Sequence, residues 1–145
     1  MATMPDAQAA TSPLDAALDR VGDRWSLLIV EALLDGPRRF GELADRVAGI
    51  APNILTERLR RLERAGVLAA RPYSERPARM AYALTDDGRD LAGVLRLLAS
   101  WAARDGGGPE ALRHMACGSA LQARWFCPTC ARPVEEAEAS SLDFA

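Results

Sequence analysis

Three stretches of this chain predict a mainly α-helical domain with a small β-hairpin beside one helix, followed by a small Cys/His module. The first is the segment 50–65, I-A-P-N-I-L-T-E-R-L-R-R-L-E-R-A. At helical spacing Leu55, Leu59 and Leu62 fall on one side, and Asn53, Glu57, Arg60 and Arg64 on the other, with Thr56 and Arg61 flanking. The second is a pair of short strands, 67–73 and 79–84, around the charged tip 74–78; Met80, Tyr82 and Leu84 alternate onto one face. The third is His114-x2-Cys117 followed by Cys127-x2-Cys130. Read together, they predict a winged helix-turn-helix with a zinc-binding appendage.

At 145 residues the chain has room for one ordinary domain and little more. The expected organisation is a disordered N-terminus (1–12), a winged-helix and dimerisation domain (13–105), a zinc-ribbon-like module (109–134) and an acidic disordered tail (135–145). Ser12-Pro13 resembles a helix start, with serine capping and proline in the first turn. Leu14, Ala17, Leu18 and Val21 carry that helix to Gly22. The next segment, R-W-S-L-L-I-V-E-A-L-L from Arg24, is apolar almost all round and reads as a buried central helix with Trp25 as a core anchor. Asp35-Gly36-Pro37 ends it. Arg38-Arg39-Phe40 then opens a short helix whose Phe40, Leu43 and Val47 face inward.

Ala48-Gly49 is the turn between that helix and the 50–65 helix, which gives the helix-turn-helix signature. Pro52 belongs to the first turn, where its missing N–H costs nothing, and Gly66 suits the helix end. Thr85-Asp86-Asp87-Gly88 caps a last helix with the stripe Leu91, Val94, Leu95, Leu98, Trp101 and Ala102. Because the domain already has a buried helix, this second apolar face is expected to pair with another copy, with intrachain packing as the alternative. Gly106-Gly107-Gly108-Pro109 reads as a linker.

The net charge is −2, which alone would argue against a nucleic-acid partner. Its distribution says otherwise. All 18 basic residues are arginine, they outnumber acids between Arg20 and Arg79, and the end of the chain is acidic (Glu135, Glu136, Glu138, Asp143). No apolar run approaches the ~20 residues that cross a bilayer, and no secretory signal is evident, so no membrane partner and a cytoplasmic location are expected. Three cysteines do not make a disulfide framework. Two chelating pairs suit tetrahedral Zn2+ instead, with ligands His114, Cys117, Cys127 and Cys130 and an apolar shell of Leu121, Trp125 and Phe126. A thioredoxin-like use of the C-x-x-C would need strand–helix–strand context, whereas a short acidic segment follows Cys130. No nucleophile–base pair, phosphate loop or paired catalytic carboxylates occur, so no enzyme is expected.

Four motifs then stand in order: D-A-A-L-D-R-V-G-D-R-W-S-L-L-I from Asp15, G-P-R-R-F-G-E-L from Gly36, L-T-E-R-L-R-R-L-E-R-A-G-V-L from Leu55 and Y-A-L-T-D-D-G from Tyr82. In this register, from about Pro13 to Trp101, the chain resembles the HxlR-type winged-helix regulators, bacterial transcription factors related to the MarR group. The resemblance implies a homodimer on a pseudo-palindromic operator in double-stranded DNA, and the expected function is a sequence-specific regulator acting as a repressor. It also implies that the first and last helices form the dimer, here through Leu14, Leu18, Leu91, Leu95, Leu98 and Trp101. Several relatives carry a redox-sensing cysteine immediately before the N-terminal proline; this chain has Ser12 there, so a small-molecule or redox effector would have to act elsewhere.

In such an arrangement Asn53 would read adenine, Arg60 guanine, and Thr56 a thymine methyl or a phosphate. Glu57 is expected to hold Arg61 at i+4, or to accept from cytosine. Arg38, Arg39 and Arg58 are expected at phosphates, Arg76 and Arg79 at the minor groove, and Pro52 and Arg61 complete the DNA-facing set. Two alternatives stay open. For each arginine it is a solvated surface charge, and for the whole chain it is a protein-interaction adaptor or a zinc/thiol redox sensor.

Overall fold

The computed structural model describes residues 12–103 and 112–138; the readings of 1–11 as disordered, of the glycine linker and of 139–145 as an acidic tail lie outside the described residues. The chain divides into two compact units, Val21–Ala123 and, as the other, Met1–Arg20 with Arg124–Ala145.

Helix α1 (Pro13–Val21) begins where expected, with Ser12 Oγ accepting from Asp15 N at 3.0 Å. Helix α2 (Arg24–Leu33) is the buried centre: Ile29 and Val30 are wholly inaccessible, with Ala32 and Leu33 beside them. Trp25, expected as a core anchor, lies half-buried against the margin of that core, with the Arg24 guanidinium 4.9 Å from its ring centre. The next segment departs from expectation. Arg38–Arg39 is extended and forms β1, and the helix α3 runs from Phe40–Arg46. Arg38 pairs with Tyr82 and Arg39 with Ala81, some 40 residues on, so two residues become a strand through a partner that local pattern does not show.

Helix α4 (Pro52–Arg64) follows the turn at Gly49 and ends at Gly66, which takes φ +73°. Its Leu55, Leu59 and Leu62 are buried against α2 and Leu43 of α3. Truncating any one of them to alanine is expected to cost ~2–5 kcal/mol. Strands β2 (Leu68–Glu75) and β3 (Ala78–Leu84) form the wing, and the sheet order is β1-β3-β2, all antiparallel. Burial grades along β3, from exposed Met80 through half-buried Tyr82 to buried Leu84, as the hairpin leaves the core. Pro72 faces Met80 but Ser74 faces Arg79, so Tyr73 is an extra residue on β2, a bulge that re-aims its side chain. Helix α5 (Asp86–Ala103) is capped by Thr85, whose Oγ1 accepts from Gly88 N at 3.1 Å. This is the winged helix-turn-helix that the sequence predicts.

In the other unit, β4 (Trp125–Cys127) pairs with β5 (Arg132–Val134) as a small hairpin. Arg132 grips Glu138 of the following short 3-10 turn (Glu136–Glu138) with two bonds, at 2.6 and 3.0 Å.

Candidate nucleic-acid interface

The burial of three leucines fixes which side of α4 faces out. On that side Pro52, Asn53, Glu57, Arg60 and Arg64 are exposed and Thr56 is half-exposed. The Thr56 hydroxyl donates to Pro52 O at 2.9 Å, so its hydrogen is already used and its methyl and lone pairs remain for a partner. Asn53 and Arg60 lie one above the other near the middle of this face.

Two of the expected phosphate-binding arginines are turned inward. Arg58 Nε donates to Asp23 Oδ1 at 2.9 Å and Nη1 to Glu57 Oε1 at 2.8 Å, leaving its side chain 19% exposed. Glu57 thus meets Arg58, its neighbour in sequence, and Arg61 Nη1 approaches Asp23 Oδ2 at 3.7 Å. The helical wheel explains this: residue 58 stands about 140° from residue 53, next to the leucine side. Arg38 Nε donates to Ala32 O at 2.6 Å near the end of α2, and its Nη2 lies 3.7 Å from Asp35. Both were expected to anchor DNA; both are committed to the protein's own framework.

Arg39 is placed differently. Its backbone N donates to Glu42 Oε2 at 2.6 Å, and its guanidinium stacks on the bulged Tyr73 ring at 4.3 Å from the centroid. Stacking holds the plane while leaving the N–H edge available, which is how an arginine is pre-set for a phosphate. Arg76 and Arg79 are exposed at the wing tip, with Arg71 further down β2. Sequence reasoning missed Tyr73 and Asp23. An exposed aromatic among wing arginines was a visible signal for Tyr73; nothing on the polar face pointed to Asp23.

The Asp23 carboxyl is the electrostatic centre beneath the site. It accepts from Ser26 N at 3.1 Å and from the buried Ser26 hydroxyl at 2.6 Å. Burial pushes its pKa up, but the bonds from Ser26 and Arg58 outweigh this and hold it below the usual carboxylate range. The same contact pushes the Arg58 guanidinium up.

The expected dimer residues separate into two kinds. Leu91 and Leu95 pack against the core of their own chain. Val94, Leu97, Leu98 and Trp101 of α5 are half or more exposed, Trp101 at 60%, as are Leu14 and Leu18 of α1.

The cysteine pairs are two separate turns. In one, Gly118 N donates to His114 O at 2.7 Å, Gly118 takes φ +70°, and His114 Nδ1 lies 3.2 Å from Cys117 Sγ. Hydrogen bonds from Ser119, then His114, push the Cys117 thiol down to about 7. In the other, Cys130 N donates to Cys127 Sγ at 3.5 Å across the β4–β5 turn, and this bond pushes the Cys127 thiol down. Among the described residues no group of three or more His, Cys, Asp or Glu side chains is gathered as a metal site. Leu121, Trp125 and Phe126, expected as the apolar shell of the module, are each exposed.

A family model described as HxlR-like helix-turn-helix matches residues 20–107. The chain is 41% identical over 122 residues to the HTH-type transcriptional regulator Rv3095 of Mycobacterium tuberculosis, covering 81% of this chain and 77% of that one. Among solved structures it is similar to the reduced form of the transcriptional regulator YodB from Bacillus subtilis (31% identity, TM-score 0.58, 68% of this chain and 97% of that one). It is also similar to PA1374 of Pseudomonas aeruginosa, described as a candidate transcription factor (35% identity, TM-score 0.64, 88% and 89% covered).

Proposed function

This chain belongs to the HxlR-like helix-turn-helix family of transcriptional regulators, and from that premise we propose that it acts as a homodimeric repressor on a pseudo-palindromic operator. The observation that carries the reading is the outward face of α4. Asn53, Thr56 and Arg60 are presented together on a helix whose opposite side is locked in the core, with Arg76 and Arg79 exposed on the neighbouring wing. A solvated surface helix needs no such combination.

In this reading α4 lies in the major groove. Asn53 pairs with adenine N6/N7 and Arg60 with guanine O6/N7, each bidentate pair discriminating by ~1–3 kcal/mol. The stacked Arg39 and the wing arginines neutralise phosphates or enter the minor groove, which fixes register without reading bases. Two copies place their α4 helices about 34 Å apart, one turn of the duplex. The uncovered α5 side chains Val94, Leu97, Leu98 and Trp101 supply apolar surface for that pairing, and Leu14 and Leu18 of α1 are exposed apolar side chains of the other unit. Repression follows where such a dimer covers promoter DNA.

The test is selection of a duplex from a randomised pool, followed by titration at several salt concentrations. Arg60→Ala should relax preference at one base position in each half-site while leaving the other positions intact. Arg39→Ala should weaken all sequences alike and reduce the slope of log K against log salt by about 1. A uniform loss from both variants would contradict the division between reading and anchoring.

A specific observation also favours zinc as a cofactor. Each Cys pair, taken by itself, is a tight turn in which a backbone N–H or a ring nitrogen faces a sulfur, the local build that suits thiolate ligation. The proposed ligands remain His114, Cys117, Cys127 and Cys130. Protein purified without added metal should contain about one zinc per chain. Cys127→Ser should lose it while the winged helix keeps its fold; a metal-free wild type rejects the proposal.

A further inference from the structure

We propose that Asp23 is a positioning residue for DNA recognition: anchored at the start of the buried helix α2, it holds α4 through Arg58 and so sets the angle at which Asn53 and Arg60 meet the bases. The inference rests on the reading of α4 as the recognition helix. Asp23 is remote from the exposed face of that helix in sequence, 35 residues before Arg58.

The geometry is that of a fixed clamp. Asp23 Oδ1 accepts from Ser26 N at 3.1 Å and from Arg58 Nε at 2.9 Å, and Oδ2 accepts from Ser26 Oγ at 2.6 Å. Ser26 is completely buried in the first turn of α2, so it fixes the carboxylate to the buried central helix of the domain. Arg61 Nη1, one turn along α4 from Arg58, stands 3.7 Å from the same carboxylate. Both cations therefore come from the helix that would read DNA, and the anion from the scaffold.

Such a clamp has work that the leucines cannot do. Apolar burial of Leu55, Leu59 and Leu62 holds α4 against the core, but it is non-directional and tolerates small rolls of the helix about its axis. A charge-assisted bond from a guanidinium to a carboxylate fixed by two further bonds is directional. Base-edge hydrogen bonds fail with displacements of a fraction of an ångström, so the roll angle of α4 has to be held by contacts of that kind.

The inference makes a prediction opposite in sign to simple electrostatics. Asn caps a helix about as well as Asp, so Asp23→Asn keeps the α2 start while removing the negative charge, and with it the charge-assisted pairing with Arg58 and Arg61, beside the DNA-facing helix. Charge alone would make every duplex bind more tightly. Loss of the clamp instead lowers affinity for the selected duplex.

The experiment uses the full chain, a duplex selected by the wild-type protein, and calf-thymus DNA as the non-specific probe, with circular dichroism reporting the fold. Asp23→Asn and Arg58→Gln should each lower the ratio of selected to non-specific affinity by about tenfold, and the double variant should be little worse than either, as coupled residues behave. The salt slope of Arg58→Gln should equal that of the wild type, because Arg58 touches no phosphate. Arg58→Lys, which keeps the charge without the planar donor fork, should fold and still lose selectivity, and it carries the test if the other variants melt. Undiminished selectivity in Asp23→Asn or Arg58→Lys overturns the inference, as does a uniform loss in Arg58→Gln with a shallower salt slope. A wild-type protein that selects no duplex overturns the operator reading itself. A selective wild type with indifferent variants overturns only the clamp.

Discussion

On the proposed homodimeric reading, Trp101→Arg is expected to leave the protein monomeric and to lower its affinity for a selected duplex by ~10²–10⁴-fold, the advantage normally gained by linking two binding events. Trp101 is 60% exposed on α5, in sequence with exposed Val94, Leu97 and Leu98. A tryptophan left this open exposes roughly 100–150 Å², worth up to about 3 kcal/mol per protomer when covered, before ordering costs are subtracted. Arginine at that point both forfeits the burial and places two like charges at a two-fold contact. The monomer should still fold, because Leu91 and Leu95, on the inner side of the same helix, contact the core. Sedimentation should show the change in mass, and titration against a single half-site should show unchanged intrinsic binding. A Trp101→Arg protein that stays dimeric places the interface elsewhere.

The division of α5 into an inner and an outer apolar side illustrates what can be read from residues alone. Its stripe was visible as one broad face; which leucines serve the chain's own core and which are left over depends on how the helix is seated. The leucine and arginine sides of α4 were likewise legible, because a 3.6-residue period is a local property. What the same wheel already contained, and went unused, was the inward position of Arg58 beside the leucines. Its partner Asp23 was not legible at all, since an aspartate at a helix start is sufficiently explained by capping.

Longer-range causes account for the other differences. Arg38 and Arg39 became a strand because Tyr82 and Ala81 lie alongside, and two residues carry no period of their own. Arg38 then spends its guanidinium on Ala32 O, while Arg39, one residue on and on the other face of the strand, reaches Tyr73. One step in register separates a framework arginine from a DNA-facing candidate. The bulge that makes Tyr73 available is set by the pairing of β2 with β3, again a property of two segments together. The Cys/His spacing was legible as two turns, and each turn is formed.

Gly88→Ala is expected to destabilise the domain by about 3 kcal/mol or more, at the upper end for overpacking, whereas alanine ordinarily stabilises a helix relative to glycine by ~1 kcal/mol. Gly88 lies in the first turn of α5, and a Cβ there would stand 2.0 Å from Val67 O and 3.2 Å from a Leu84 methyl. Val67 O cannot retreat cheaply. It accepts from Thr85 N at 3.1 Å and from Thr85 Oγ1 at 3.1 Å, while Thr85 Oγ1 also reaches Gly66 O at 2.6 Å. These bonds tie the end of α4 and the start of β2 to the start of α5. Separating them to admit a methyl would leave carbonyls short of partners and pull Leu84 from the core. Gly93, five residues along the same helix, supplies the control: nothing lies within 4 Å of its Cβ position, so Gly93→Ala should stabilise by ~0.5–1 kcal/mol. Thermal melts at matched protein concentration, which removes the effect of association on the midpoint, should place Gly88→Ala at least about 12 °C below the wild type and Gly93→Ala a few degrees above it. Equal midpoints for the two variants would show that the α4–β2–α5 junction yields where its hydrogen bonds say it is held.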